Sequence, residues 1–290
     1  WMVFKLTGVW SWNRPEAGFY APYNTKTRDW DSELLKKVGF PRSLFPKLFD
    51  AWEIVGKVTS DASKQTGLPE GTPVVAGADD ASPVALTTGV IKTGQCFISV
   101  GSGGNIAANT EKPVTHPTIL TYPHCIPHLT TAITVLSSTG LSNKWMRNNL
   151  CQAESAVASI TGEDPYVYMG KASETAKVGS RGVIFLPYLD GDYTPNNDPN
   201  ARGCFIGIGT TTTKADLLRA TLEGVAFSIL DNINLIRELG GNLDEIVLAG
   251  GIAKSPLWLQ IISDVTGCII SLPKETEGTA FGDALLAGFG

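Results

Sequence analysis

Residues 214 to 271 hold the pattern that most restricts the fold. Leu217, Leu218, Leu222, Val225, Ala226, Ile229, Leu230, Ile233 and Ile236 recur at steps of one, three and four. That spacing puts them on one apolar face of a long helix over 214–239. Gly240 and Gly241 are placed to end it. "DEIVLAGG" then reads as a buried strand, and "SPLWLQIISDVTG" as a helix with Ser255 as N-cap and Pro256 in its first turn. "CIISLP" is another strand, and "GTAFGDALLAGFG" a helix of small residues. A helix with a single apolar stripe must lie on something apolar. Alternation with buried strands makes that partner a sheet, so the chain is of the α/β class.

The rest of the chain fits around this unit. "GQCFISVGSGGNIAANTEK", residues 94 to 112, predicts strand, glycine turn, strand. "ITVLSSTGLSNKWMRNNL" predicts a strand running into a helix, and "RGVIFLPYLDGDYTPNNDPNARGCFIGIG" two strands joined by a Pro/Asn/Asp-rich loop. Residues 1 to 70 read as helices and loops, with "DSELLKKVGF" a short helix started by Asp31 and closed by Gly39. A strand is expected over Thr72 to Ala76, and a helix over 81–91 entered through Ser82 and Pro83.

At 290 residues the chain has room for two domains. With 43% hydrophobic residues it belongs among globular proteins. Its net charge is −5 and no Lys/Arg run stands out, which argues against nucleic acid or a membrane surface as partner. No stretch of 18 apolar residues is present to span a bilayer. "WMVFKLTGVW" lacks the features of a signal peptide. Cys96, Cys125, Cys151, Cys204 and Cys268 are widely and irregularly spaced, as expected for reduced thiols in the cytoplasm. His124 and His128 have a metal-like spacing in "YPHCIPHLT", but the two prolines predict a loop and no third ligand is close. The metal question has no residue to point to.

Three glycine-rich turns follow strands. "VGSGGN", Val100 to Asn105, lets backbone N–H groups approach an anion, with Ser102 adding a hydroxyl. The bland alternative is an ordinary glycine hairpin. "LAGGIAKSPLW", Leu248 to Trp258, ends a strand and opens a helix, where anions and polar groups are attracted. There the alternative is a tight turn with Ser255 merely capping. "CFIGIGTTTTKAD", Cys204 to Asp216, carries Gly207 and Gly209 and says little alone. Neither GxxxxGK[ST] nor GxGxxG is present. Before all three stands "TPVVAGADDASPV", where a strand breaks at a glycine into Asp79 and Asp80. A carboxylate there suits a general base that takes a proton from a hydroxyl. It suits a helix cap equally well.

The order of these pieces resembles the FGGY family of carbohydrate kinases. "TPVVAGADDASPVALTTGVIKTGQCFISVGSGG", "PYLDGDYTPNNDPNARGCFIGI", "ADLLRATLEGVAFSILDNI" and "LAGGIAKSPLWLQIISDVTG" follow one another as in that family, and "RDWDSELLKKVGFPRSLFPKLFDAWEIVG" resembles the segment before its catalytic Asp. The resemblance implies an α/β, actin-like (ribonuclease H-like) ATPase fold. Residues 1–88 would be the end of the N-terminal, sugar-binding domain, and 89–290 the C-terminal, ATP-binding domain. It also implies transfer of the γ-phosphate of ATP to a sugar hydroxyl with Mg²⁺. By motif the catalytic Asp falls on Asp80. Asp79 stands where the family usually has a small residue, and is expected to cap the helix or touch the sugar. Gly101, Ser102 and Gly103 would lie at the ATP phosphates. Gly250, Gly251, Ala253 and Ser255 would line the adenosine site, with Gly207 nearby.

Within the family "GDYTPNNDPNARG" is most similar to D-xylulose kinases, although Tyr193 and Asn196 depart from their pattern. The expected reaction is D-xylulose to D-xylulose 5-phosphate, with gluconate, ribulose or another polyol as alternative acceptors. A homodimer is left open. The family's first phosphate loop, a DxGTxxxR-like stretch, is not in these 290 residues, and the first residue is Trp1. The chain is therefore expected to be a fragment with little kinase activity alone. Two rivals stand beside this reading. One is an actin-like module that binds nucleotide without acting on sugar. The other is an NAD-dependent enzyme built on "LAGGIAKS", against which the missing GxGxxG argues.

Overall fold

The computed structural model describes residues 1–240, 243, 245–274 and 278–290. The long helix runs Lys214–Glu238. Thr213 and Asp216 start it with a reciprocal capping box, each side chain accepting the other's backbone N–H. Gly241, expected to help end it, and Asp244, at the start of the next strand, lie outside the described residues.

The helix lies on a six-stranded mixed sheet. The strand order is Ile269–Ser271, Glu245–Gly250, Cys96–Val100, Gly104–Thr110, Thr130–Leu136, Leu120–Pro123. The first three are mutually parallel and the rest antiparallel. Parallel neighbours need a crossover, and the long helix sits in the crossover between Cys96–Val100 and Glu245–Gly250. Along Cys96–Val100 the pleat sends Cys96, Ile98 and Val100 to one side and Phe97 to the other. The first set packs with Val225, Ile229, Ile233 and Ile236 of the helix and with Trp258 and Ile262 of helix Pro256–Thr266. Phe97 packs with Ala107, Tyr122 and Ile133, and with Ala81 and Ala85 of helix Ala81–Thr88. Both faces are covered, so the strand reads as one apolar run.

Helix Ala81–Thr88 is covered in turn by the last helix, Gly278–Phe289. A Cβ on Gly282 would stand 2.0 Å from the Pro83 carbonyl oxygen. The Thr87 hydroxyl donates to the Gly278 carbonyl at 2.7 Å. In sequence Ala81–Thr88 precedes the expected division at 88/89, yet it packs on the sheet of the second segment.

Residues 1 to 70 contain the expected short helices, among them Ser32–Lys37 capped by Asp31 and Ser60–Thr66 capped by Thr59. They also contain strands the sequence did not predict. Ser11–Asn13 pairs with Lys47–Phe49, Tyr23–Asn24 with Asp29–Trp30, and Ile54–Lys57 with Pro73–Val75, the last of these being the strand expected over Thr72 to Ala76. Runs of two to four residues are too short for alternation to show. A small core of Tyr23, Trp30, Leu35 and Leu48, with Trp12 and Phe45, holds this region together. The first residues of "YPHCIPHLT", expected as loop, finish the edge strand Leu120–Pro123. Proline is tolerated at such an edge. No helix among the described residues is long and apolar enough to cross a membrane.

Candidate active site

The two adjacent aspartates have different surroundings. Asp79 is only 5% exposed. Its Oδ2 accepts the backbone N–H groups of Ala81 and Ser82 at 3.1 and 3.3 Å. These are two of the N–H groups that the first turn of Ala81–Thr88 leaves without helical partners. Burial pushes the Asp79 carboxyl above the usual carboxylate range, and these donors pull against that. Asp80 holds the N-cap position on the backbone, but its side chain makes no cap bond and is exposed. One carboxylate is thus tied to the helix and the other is free.

Both line a cleft of about 500 Å³, together with Glu16, Phe19, Thr279 and Asp283. The wall holding Glu16 and Phe19 starts at helix Arg14–Ala17, capped by Asn13, whose side chain accepts the Glu16 N–H at 2.8 Å. The opposite wall is the first turns of Gly278–Phe289, where the Thr279 hydroxyl donates to the Asp80 carbonyl at 3.3 Å. Burial also raises the Asp283 carboxyl. Beneath Phe19 lies Tyr122, fully buried, its ring centroid 4.3 Å from that of Phe19. Burial, and next the charge of Asp79, hold the Tyr122 phenol well above its ordinary value. The Tyr122 and Ser82 hydroxyls face the buried Asp79 carboxyl closely enough to pull against its rise, without a well-aligned hydrogen bond to Oδ1.

The glycine turns meet at a second, larger cavity of about 720 Å³. Gly101, Ser102, Gly251 and Ser255 line it. Gly103, Gly250 and Ala253 belong to the same two turns without lining it, and Gly207 is elsewhere, packed on the Gly182 carbonyl. Gly250 joins the two turns. Its φ of +98° and ψ of −167° suit only glycine, and a Cβ there would stand 2.2 Å from the Val100 carbonyl oxygen. Ser255 caps Pro256–Thr266 by accepting the Trp258 N–H at 3.4 Å.

The sequence did not point to Lys144, Lys171 and Lys254, which also line this cavity. Lys144 and Lys171 come from helices Thr139–Leu150 and Pro165–Glu174. Charges on such helices read as solvated faces, and Lys254, although it stands within "LAGGIAKSPLW", is not among the residues that motif singled out. Tyr193 and Asn196, the departures in the Pro/Asn/Asp-rich loop, line neither cavity. Asn196 instead donates from Nδ2 to Asp192 at 2.7 Å and helps fold its own loop. The His124 ring is buried and its Nδ1 accepts the Ile126 N–H at 2.8 Å, while burial lowers its pKa to about 4. Among the described residues no group of three His, Cys, Asp or Glu could hold a metal ion.

Comparison with known proteins supports a single family. Residues 96–290 match the model of the FGGY family of carbohydrate kinases, C-terminal domain, and residues 1–87 match that family's N-terminal domain. The chain is 28% identical to a xylulose kinase of Staphylococcus xylosus over 293 residues, all of this chain and 58% of that protein. It is 32% identical to an autoinducer-2 kinase of Enterobacter sp. (strain 638) over 296 residues, all of this chain and 56% of that protein. It superposes on the crystal structure of gluconate kinase from Lactobacillus acidophilus with a TM-score of 0.88 at 27% identity, covering 99% of this chain and 56% of that one. The chain thus spans a little over half the length of these proteins. The mixed sheet with its long crossover helix is the α/β, actin-like ATPase fold that they share. The chain belongs to the FGGY family of carbohydrate kinases.

Proposed function

We propose that this protein acts in ATP-dependent phosphorylation of a sugar hydroxyl, with D-xylulose as the acceptor, and that Asp80 is the general base. The observation that carries this is the division of labour between the aspartates. Asp79 satisfies the helix N–H groups, which leaves the Asp80 carboxylate exposed in a cleft with nothing else to do. A free carboxylate that can reach a substrate hydroxyl is what in-line attack on a phosphate requires.

The second cavity suits the nucleotide. The turn at Gly101 and Ser102 offers backbone N–H groups and a hydroxyl, and Lys144, Lys171 and Lys254 offer positive charge to phosphates. Gly251 and Ser255, at the start of Pro256–Thr266, would face the adenosine half. Magnesium would arrive on the nucleotide, since this ion commonly takes one or two carboxylates and keeps phosphates and waters as its other ligands. The oxygen donors of Asp283 fit so hard a cation, while Asp80 stays free to act as the base. When bound, it would neutralise charge on the phosphates. The division into sugar-binding 1–88 and ATP-binding 89–290 follows the same reading.

The acceptor is drawn from the relatives. The xylulose kinase match covers the whole chain, but so does the autoinducer-2 kinase match at slightly higher identity. The test is coupled ADP release by the gene's full product with D-xylulose, D-ribulose, ribitol, D-gluconate and autoinducer-2. Release that needs D-xylulose and falls at least about 10²-fold in Asp80→Asn supports both acceptor and base. A kcat within about tenfold of wild type in that variant removes Asp80 from the role. Release with another acceptor moves the substrate. ATP turnover without phosphorylated sugar favours a nucleotide-driven module.

A further inference from the structure

The largest fully buried side chain among the described residues is that of Tyr122, on the edge strand Leu120–Pro123. It lies between two parts of the molecule. On one side is a wall of the acceptor cleft. The Tyr122 ring centroid is 4.3 Å from that of Phe19, with the planes tilted by 30°, and Phe19 lines the cleft. Gly18 is packed so closely that a Cβ there would stand 2.5 Å from the Tyr122 Cβ. On the other side is the turn that carries Asp80. The ring belongs to the apolar cluster that includes Ala81 and Ala85 of helix Ala81–Thr88. The phenol faces the buried Asp79 carboxyl. That carboxyl accepts the Ala81 and Ser82 N–H groups, so it fixes the start of the helix, where Asp80 holds the N-cap position. Tyr122 itself lines neither cavity.

For packing alone a phenylalanine would serve, and it would bury no hydroxyl. A buried hydroxyl is costly unless a polar group faces it. Here that group is the Asp79 carboxyl. Burial keeps the proton on the phenol, so the phenol can donate to a carboxylate. A single series of contacts therefore runs from the acceptor wall to the base: the Phe19 ring, the Tyr122 ring, its hydroxyl, the Asp79 carboxyl and the N–H groups of Ala81 and Ser82. Its ends belong to different parts of the chain, since Gly18 and Phe19 lie in the first segment and Tyr122 in the six-stranded sheet. We propose that Tyr122 is a positioning residue, which holds the acceptor wall at Gly18 and Phe19 in register with the turn that carries Asp80, by its ring on one side and its hydroxyl toward Asp79 on the other. The proposal rests on Asp80 as the general base and goes beyond it, because it names what sets the distance between base and acceptor. That distance matters: a base must come within hydrogen-bond reach of its proton, and a misplacement of about 1 Å can cost about 10²-fold.

The experiment is steady-state ADP release by the gene's full product, with D-xylulose or whichever acceptor of the panel it turns over fastest. Wild type, Tyr122→Phe, Asp79→Ala and the double variant are compared. Tyr122→Phe keeps the ring against Phe19 and removes only the link to Asp79. Its kcat should fall about tenfold or more, because the base is no longer held in place. Its KM for acceptor and for ATP should stay within about twofold, because no binding contact is lost. Its thermal shift with ADP should persist, since other residues line the nucleotide cavity. In Asp79→Ala the link is already cut, so adding Tyr122→Phe should lower kcat by less than about twofold more. A general packing role would not vanish in that background. A kcat within about twofold of wild type in Tyr122→Phe overturns the proposal. So does a further loss of about tenfold on the Asp79→Ala background, since the hydroxyl would then act by another route. Wild type that turns over no acceptor, or Asp80→Asn with normal kcat, removes the proposal together with the reading beneath it, and both are seen with Tyr122 intact. Circular dichroism separates a kinetic loss from a lost fold, and the Asp79→Ala pair tests the same link from its other end.

Discussion

At the scale of single residues, Asp79 shows why sequence could not finish the assignment. Two adjacent aspartates after a strand are equivalent as letters. The resemblance alone set Asp80 apart as the base, and the physical reason appears only when the helix turns its N–H groups toward Asp79. Asp79→Ala should lose about 1 kcal/mol of stability, as removal of a helix cap does. Asp79→Asn should lose less than half of that, because its amide oxygen still accepts and no charge is buried. Equal losses in urea unfolding would show that capping is not what this side chain contributes. His124 gives a second prediction. Its folded pKa is about 4 against 6.5 when free. Between these values the unfolded chain binds a proton that the folded chain refuses, so stability falls as pH drops from about 6.5 to 4. Over that range of about 2.5 pH units, at 1.36 kcal/mol each, the loss is at most about 3 kcal/mol. His124→Gln should flatten this part of the stability–pH curve. An unchanged slope would assign the loss to other groups.

At the scale of elements, what was legible depended on length. The helix Lys214–Glu238 has enough turns for its stripe to declare itself, and Ser255-Pro256 has the chemistry of a helix start. The paired strands of residues 11–57 have too few residues to alternate, and helices Gln152–Thr161 and Pro165–Glu174 were not read at all. Of the nucleotide cavity, the two glycine turns were legible because glycine has a backbone reason to be there. The lysines were not, because Lys144 and Lys171 come from two helices that only the fold brings to the turn that carries Lys254. Two glycines test the joints between elements. Gly250→Ala must place a Cβ 2.2 Å from Val100 O in a backbone region closed to other residues. It should cost about 2–3 kcal/mol and remove the thermal shift given by ADP. Gly282→Ala presses on the Pro83 carbonyl from 2.0 Å. Overpacking of this kind costs about 1–3 kcal/mol. It should push Gly278–Phe289 away from the helix headed by Asp80, so kcat should fall while the ADP shift persists. A Gly282→Ala protein with normal kcat would mean that this contact does not position Asp80.

At the scale of the whole molecule, charge is sorted by place rather than by amount. The net charge of −5 predicts no cation-rich surface, yet three lysines converge on one cavity while four carboxylates line another. Under the proposed function the lysine cavity takes the anionic nucleotide and the cleft at Asp80 takes the acceptor. The lysine cavity is built from residues 100 to 258, all within this chain, so nucleotide binding should survive whether or not sugar is turned over. A ligand at a hundred times its dissociation constant stabilises by about 2.7 kcal/mol. For a domain of this order of size each kcal/mol moves the Tm by about 2–4 °C, so saturating ADP should raise it by about 5 °C or more. Lys144→Ala with Lys254→Ala should cut that shift and weaken its dependence on salt, because fewer charges would then hold the phosphates. NAD should give no comparable shift, since neither glycine turn carries the GxGxxG spacing that a dinucleotide needs. A shift with NAD and none with ADP would move the function from phosphate transfer to redox chemistry. A shift with ADP that ignores both lysines would keep the nucleotide and place its phosphates against the glycine backbone alone.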